Sequence, residues 1–344
     1  MPQSHYNRAR WFLLLLLLLG GLTSPGQEIL YKGKNIIHID SVEVNAQPVH
    51  FLLVGDTTGG PKPLLVFLRG STPTPLLVDV GGGRTGALFL PFPYQTYLER
   101  VNLLFVTKPG VPILAKLENL TPSYHYLDPQ TQEVPESFTR QNLCEPLTQM
   151  AVGVLTSLEN RKWIDAEHVI LVGHSQGAIV GASLASRLSM ITHFAYLSAD
   201  PRGRFMEIVR RERMRIAEME TGQAEAYQDL MDAWAAIMAN PKSQDMFRGN
   251  TYESWASFSR DLVGELVAMN IPVFLGFGTA DISSANCDVV YLEALRQGKS
   301  HIHFHPVIDT DHNFFPLDGE GRVDYENGKW ESVFSHILDW ALKP

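Results

Sequence analysis

The sequence predicts one α/β domain on a mostly parallel central sheet with helices covering both faces. Three observations carry this expectation. Continuous apolar runs alternate with helical stretches across short connections, as in a doubly covered sheet. The stretch 168–178, HVILVGHSQGA, reads as strand, sharp turn and helix. Across 344 residues, 45% are apolar and 19% charged, enough to bury a full core. The formal charge of −9 supplies no dominant basic face, so no nucleic-acid partner is expected.

Residues 1–26 read as a secretory signal peptide. Arg8 and Arg10 precede the leucine-rich run 11–19, and Gly20, Gly21, Thr23, Ser24 and Gly26 supply small residues near a cleavage point before Gln27. The rival reading is an uncleaved N-terminal anchor. An apolar run of about 12 residues falls short of the ~20 that span a bilayer, so no stable span is expected after cleavage. The protein is thus expected to be exported, with residues 27–344 as the folded domain. Cys144 and Cys287 lie too far apart in sequence to read as a disulfide framework, and two free thiols are favoured.

The stretch 36–54 alternates and turns like two antiparallel strands, with Asn45-Ala46-Gln47-Pro48 between them. Residues 64–68 form a continuous apolar run, as in a strand buried on both faces, and end at Arg69-Gly70-Ser71. The Pro- and Gly-rich stretch 72–94 has no periodicity to assign. Its Gly81-Gly82-Gly83 lacks a following G-K-[ST] or G-x-G-x-x-G and reads as a turn rather than a phosphate loop. Residues 101–107 are the next strand, closed by Lys108-Pro109-Gly110. Between 143 and 158, Leu143, Leu147, Met150, Val154 and Leu158 share one helical face. Further strands are expected at 169–172, 194–199, 271–277 and 301–307, with a closing amphipathic helix at 329–342. Residues 201–265 depart from this alternation. Two strongly helical stretches, 206–219 and 224–238, make them an insertion over one end of the sheet.

A serine hydroxyl is a poor nucleophile until a base takes its proton, and a histidine base needs an acid to hold its tautomer and stabilise the imidazolium. Reacting groups gather at the carboxyl ends of strands in open α/β sheets. Ser175 follows the strand 169–172, Asp281 follows 271–277 and His312 follows 301–307, so the chain order is Ser, Asp, His.

This order, the Gly173-His174-Ser175-Gln176-Gly177 turn, Gly278-Thr279-Ala280-Asp281 and Asp311-His312 together resemble the α/β-hydrolase superfamily, from about Ile36 to the C-terminus. The resemblance implies the α/β-hydrolase fold with a helical cap, and residues 201–265 stand where that cap falls. It implies Ser175 as nucleophile, His312 as general base and acid, and Asp281 as orienting carboxylate. It also implies an oxyanion hole from the backbone N–H of Gln176 and that of Gly70 or Ser71. Here Arg69-Gly70-Ser71 stands in place of the His-Gly-Gly-Gly of many esterases. Asp200, at the preceding strand end, is the rival acid. Asp281 is preferred because Asp200 leads directly into Pro201 and the insertion.

The expected function is an exported serine hydrolase that cleaves a small-molecule acyl ester, or secondarily an amide, through a covalent acyl-enzyme. Acyl transfer on the same triad and a non-catalytic binding domain are the alternatives. No cofactor and no metal are expected. His301, His303 and His305 share one strand face without a clustered carboxylate or cysteine, which reads as polar filling. His174 is expected to pack or hydrogen-bond beside the nucleophile. Arg202, Arg204, Arg210, Arg211, Arg213 and Arg215, interleaved with glutamates, read as a salt-bridged helix face, with a basic rim selecting anionic substrates as the minority reading. Trp234, Met238, Met246, Phe247, Tyr252 and Trp255 divide between the insertion's own core and a substrate pocket. Oligomeric state is not legible.

Overall fold

Residues 16–17, 28–30 and 36–343 are described in the computed structural model. The expected signal peptide and its cleavage point lie outside them, apart from Leu16–Leu17. Nine strands form the main sheet: β1 (Glu28–Leu30), β2 (Ile36–Val44), β3 (Gln47–Gly55), β4 (Lys62–Leu68), β5 (Asn102–Val106), β6 (Ile164–His174), β7 (His193–Leu197), β8 (Val273–Gly278) and β9 (Ile302–Val307). Their spatial order is β9-β8-β7-β6-β4-β5-β3-β2-β1. The six strands from β9 to β5 run parallel, while β3, β2 and β1 join antiparallel at one edge.

The continuous apolar runs of the sequence are explained by burial on both faces. In β4, Leu64 and Val66 face a core shared with α1 (Cys144–Leu158) and α2 (Gln176–Ala185), while Leu65 and Phe67 face a core shared with α8 (Trp330–Ala341). On α1 the buried side chains Leu147, Ala151, Val154, Leu155 and Leu158 recur at helical spacing. Cys144 and Cys287 are both buried free thiols, Cys287 at the start of α7 (Cys287–Arg296).

The unassigned stretch 72–94 contains a hairpin, Leu77–Gly81 with Arg84–Ala87, whose first strand also pairs with Leu114–Lys116 in a separate small sheet. Gly82 and Gly83 both adopt positive φ, 64° and 71°, which a two-residue hairpin turn requires. The three-glycine run is therefore a strand reversal.

Between β7 and β8 the chain builds α3 (Arg204–Ala217), α4 (Gln223–Ala239), α5 (Tyr252–Phe258) and α6 (Val263–Ala268). Phe205, Ile208, Leu230, Ile237 and Trp255 form a core of their own. Trp234 stacks on Phe205 at 4.4 Å, whereas Met238 and Met246 are exposed. Phe258, Leu262, Val263, Leu266 and Val267 instead join the core beneath the sheet, so the separately packed part ends near residue 258.

Candidate active site

The connections leave β4 and β6 in opposite directions, to β5 on one side and β7 on the other, which opens a crevice at the carboxyl ends of these two strands. Ser175 stands at the end of β6 with φ 57° and ψ −126°, a strained conformation for a residue with a side chain. The strain persists because both flanking glycines are locked by close backbone approach. A Cβ on Gly177 would clash with the Leu68 carbonyl oxygen, and one on Gly173 with the Gly177 carbonyl oxygen. Gly177→Ala is accordingly expected to cost about 3 kcal/mol or more, beyond ordinary overpacking, because rigid backbone is the obstacle. A denaturant midpoint equal to that of the parent would contradict this reading of the turn.

Ser175 begins α2 as its N-cap, so the backbone N–H of Gln176 belongs to the first, unpaired turn of that helix. Gly70 lies directly against Ser175: a Cβ built on it would sit 3.5 Å from Ser175 Cβ and 3.9 Å from Oγ. Ser71 lines the same cavity as Ser175 and Gln176. The structure thus gathers Gln176, Gly70 and Ser71 around the serine. Arg69 shapes this loop by donating from its guanidinium to the carbonyls of Thr74 and Pro75.

Asp281 follows β8, and His312 lies in the loop after β9. His312 Nδ1 and Asp281 Oδ2 are 3.0 Å apart. Asp281 Oδ1 accepts from the Ser283 backbone N–H at 2.8 Å. Gly278 permits the encounter, since a Cβ there would collide with the carbonyls of Thr310 and Asp311. Burial by itself draws the His312 imidazole down. The hydrogen bond and charge of Asp281, joined by Glu207 and Asp311, outweigh it, and the net direction is upward from 6.5. For Asp281, burial pushes the carboxyl up, but the His312 partnership prevails and holds it below the usual carboxylate value. Among the described residues no hydrogen bond joins the His312 ring to Ser175 Oγ, yet both side chains line one cavity of about 650 Å³.

Asp200 is committed elsewhere. It accepts from Asn286 Nδ2 at 3.0 and 2.8 Å and from the Arg202 backbone N–H at 2.8 Å, and it faces Arg210 at 3.7 Å. His174 donates from Nε2 to the His312 carbonyl at 3.0 Å and packs edge-on against Trp330. Burial drives its pKa to about 3, so it is a neutral brace for the His312 loop. His303 and His305 lie against Phe274, and His305 also against His336; neither lines this cavity.

One contributor went unread in the sequence. Lys108, at the end of β5, is buried and donates from Nζ to Gln176 Oε1 and to Asn142 Oδ1, so it fixes the side chain of the residue that follows the serine. Burial, reinforced by Arg69 and Arg204, lowers its pKa to about 7. The only signal was a lysine closing a buried strand, where solvent would ordinarily claim the ammonium.

No protein-family model matches the sequence, and no curated protein matches it. Solved structures do. The chain is similar to a protein assigned as a dipeptidyl aminopeptidase IV from Bacteroides ovatus (12% identity, 88% of this chain and 35% of that chain, TM-score 0.53). It is similar to Porphyromonas gingivalis dipeptidyl peptidase 4 (13% identity, 90% and 35%, TM-score 0.50) and to acetyl xylan esterase 1 from Thermoanaerobacterium sp. (13% identity, 92% and 87%, TM-score 0.50). The chain spans about a third of the length of the two peptidases. What these proteins share with it is architecture: a large, mostly parallel sheet flanked by helices. The chain has the α/β-hydrolase fold.

Proposed function

We propose that the protein is a serine hydrolase that cleaves a small acyl ester, and secondarily an amide, through a covalent acyl-enzyme. The observation that carries this reading is the Asp281–His312 hydrogen bond at 3.0 Å beside a cavity that Ser175 also lines from its strained turn. With Nδ1 donating to Asp281, His312 presents Nε2 as a base. It accepts the Ser175 proton as Oγ attacks the substrate carbonyl. The resulting oxyanion is received by the Gln176 N–H and by that of Gly70 or Ser71, donors worth ~3 kcal/mol each when lost. Collapse breaks the bond to the leaving group, which takes the proton from His312. Water, deprotonated by the same imidazole, then releases the acid and restores Ser175. Solved structures of similar fold include an esterase and peptidases by their names, reactions that this sequence of steps also serves.

A fluorophosphonate probe tests the proposal on purified protein followed by intact mass. A single adduct on the parent, absent from Ser175→Ala, is the expected result. A folded parent that takes no label overturns the hydrolase reading in favour of a binding domain. The N-terminal segment, with two arginines before a leucine run, supports export with cleavage near Gln27. The mass of the protein recovered outside the cell checks this, and an intact Met1 would contradict cleavage.

A further inference from the structure

The cavity beside Ser175 is lined by three arginines and two carboxylates, and the way they pair leaves one charge over. Arg211 is paired with Glu207, Arg248 shares Glu212 with Arg215 at 2.6 and 2.8 Å, and Asp200 is held by Asn286 and Arg210. Arg204, at the start of α3, has no carboxylate within ion-pair distance among the described residues. Its guanidinium lies over the Trp255 ring, 4.6 Å from the centroid, and spends one donor on Asn250 Oδ1 at a long 3.5 Å. Burial lowers its pKa, and the nearby Glu207 only partly offsets this.

A mostly buried guanidinium without an anion is costly to fold around. The indole face stabilises the cation and holds it in place, but four of its five N–H donors have no acceptor among the described residues. Such an arrangement is preorganised for a planar anion that arrives with the ligand. On the lining itself three arginines face two carboxylates, and this excess of one positive charge matches one negative charge, whereas a doubly charged phosphate would bring a surplus charge next to Asp200 and Glu207.

We infer that Arg204 is a substrate-binding residue and that the natural ester carries a carboxylate, which Arg204 binds while Ser175 attacks the acyl carbon. This rests on the proposed hydrolase reading and narrows it to monoanionic substrates. It also singles Arg204 out from the other arginines of this region, most of which do form the ordinary salt-bridged face.

The test compares 4-acetoxybenzoate with its neutral methyl ester, and a monoaryl adipate with its methyl ester, which places the carboxylate on the leaving-group and acyl sides in turn. The parent should prefer one anionic member over its neutral partner in kcat/KM, mainly through KM. Arg204→Met should reduce that anionic-to-neutral ratio at least about tenfold, as expected for a lost charge-assisted pair, with Arg204→Lys in between. A parent that prefers both neutral esters, or a ratio unchanged in Arg204→Met, overturns the inference. Calorimetric titration of Ser175→Ala with 4-hydroxybenzoate, and with monomethyl adipate for the acyl side, gives a readout free of turnover. Binding that weakens as salt rises and disappears in the Ser175→Ala, Arg204→Met double variant supports the carboxylate site even if the hydrolase reading fails. Turnover of neutral esters without such binding sinks the carboxylate site and leaves the hydrolase standing.

Discussion

Replacing either Ser175 or His312 by alanine is expected to lower kcat on an activated aryl ester by about 10⁶-fold, and replacing both should cost scarcely more than either change alone. Neither residue has independent chemistry. Without His312 the Ser175 proton has no acceptor, and without Ser175 the imidazole has no nucleophile to activate. The residue of catalysis left in each variant comes from the Gln176 and 70–71 backbone donors, which both substitutions spare. Steady-state kinetics on the two single variants and the double variant measure this directly. If the single losses multiply in the double, the two side chains act separately and the proposed triad is wrong. If Ser175→Ala keeps its activity, another group in the cavity does the work. Ser198 would then be examined first, because its buried hydroxyl has no hydrogen-bond partner among the described residues and it lines the same space.

The strands that position this site were legible because parallel strands buried on both faces must be apolar at every buried residue, as residues 64–68 of β4 and the whole of β8 are. The turn at Ser175 was legible because only glycine fits where Gly173 and Gly177 touch neighbouring backbone. Asp281 and Asp200 both follow strands in the sequence, and in the structure Asp281 lies 3.0 Å from His312 while Asp200 is held by Asn286. The stretch 72–94 was opaque for a physical reason. Its hairpin is completed by Leu114–Lys116, with Leu77 paired to Leu114 across 37 positions, and no local period announces such pairing. Arg204 was opaque for the converse reason. Arg202, Arg210, Arg211 and Arg215 find carboxylates at Asp261, Asp200, Glu207 and Glu212, and Arg213 is exposed, so the lack of a carboxylate for a mostly buried arginine is visible only once the others are placed.

Asp281→Asn is expected to leave the fold intact and to lower kcat by about 10⁴-fold, because the substitution reverses one proton. Asp281 Oδ1 accepts the Ser283 N–H at 2.8 Å, so an asparagine will keep its carbonyl oxygen there and turn its NH₂ toward His312. An amide donor facing Nδ1 forces that nitrogen to accept. The imidazole proton moves to Nε2, and the atom that has to receive the Ser175 proton can no longer take it. The pH profile should change with it. His312 acts as a base only when neutral, so kcat/KM of the parent rises as pH passes upward through a pKa held above 6.5. Removing Asp281 removes the strongest upward influence and leaves burial, which acts downward, so the acidic limb of the variant must move to lower pH on a lower plateau. Asp200→Asn supplies the contrast, because Asp200 binds Asn286 and Arg202 rather than the imidazole; it should lower the melting temperature and leave the position of the acidic limb where it was. An acidic limb that stays fixed in Asp281→Asn, or one that moves in Asp200→Asn, would assign the orienting carboxylate to the wrong strand end.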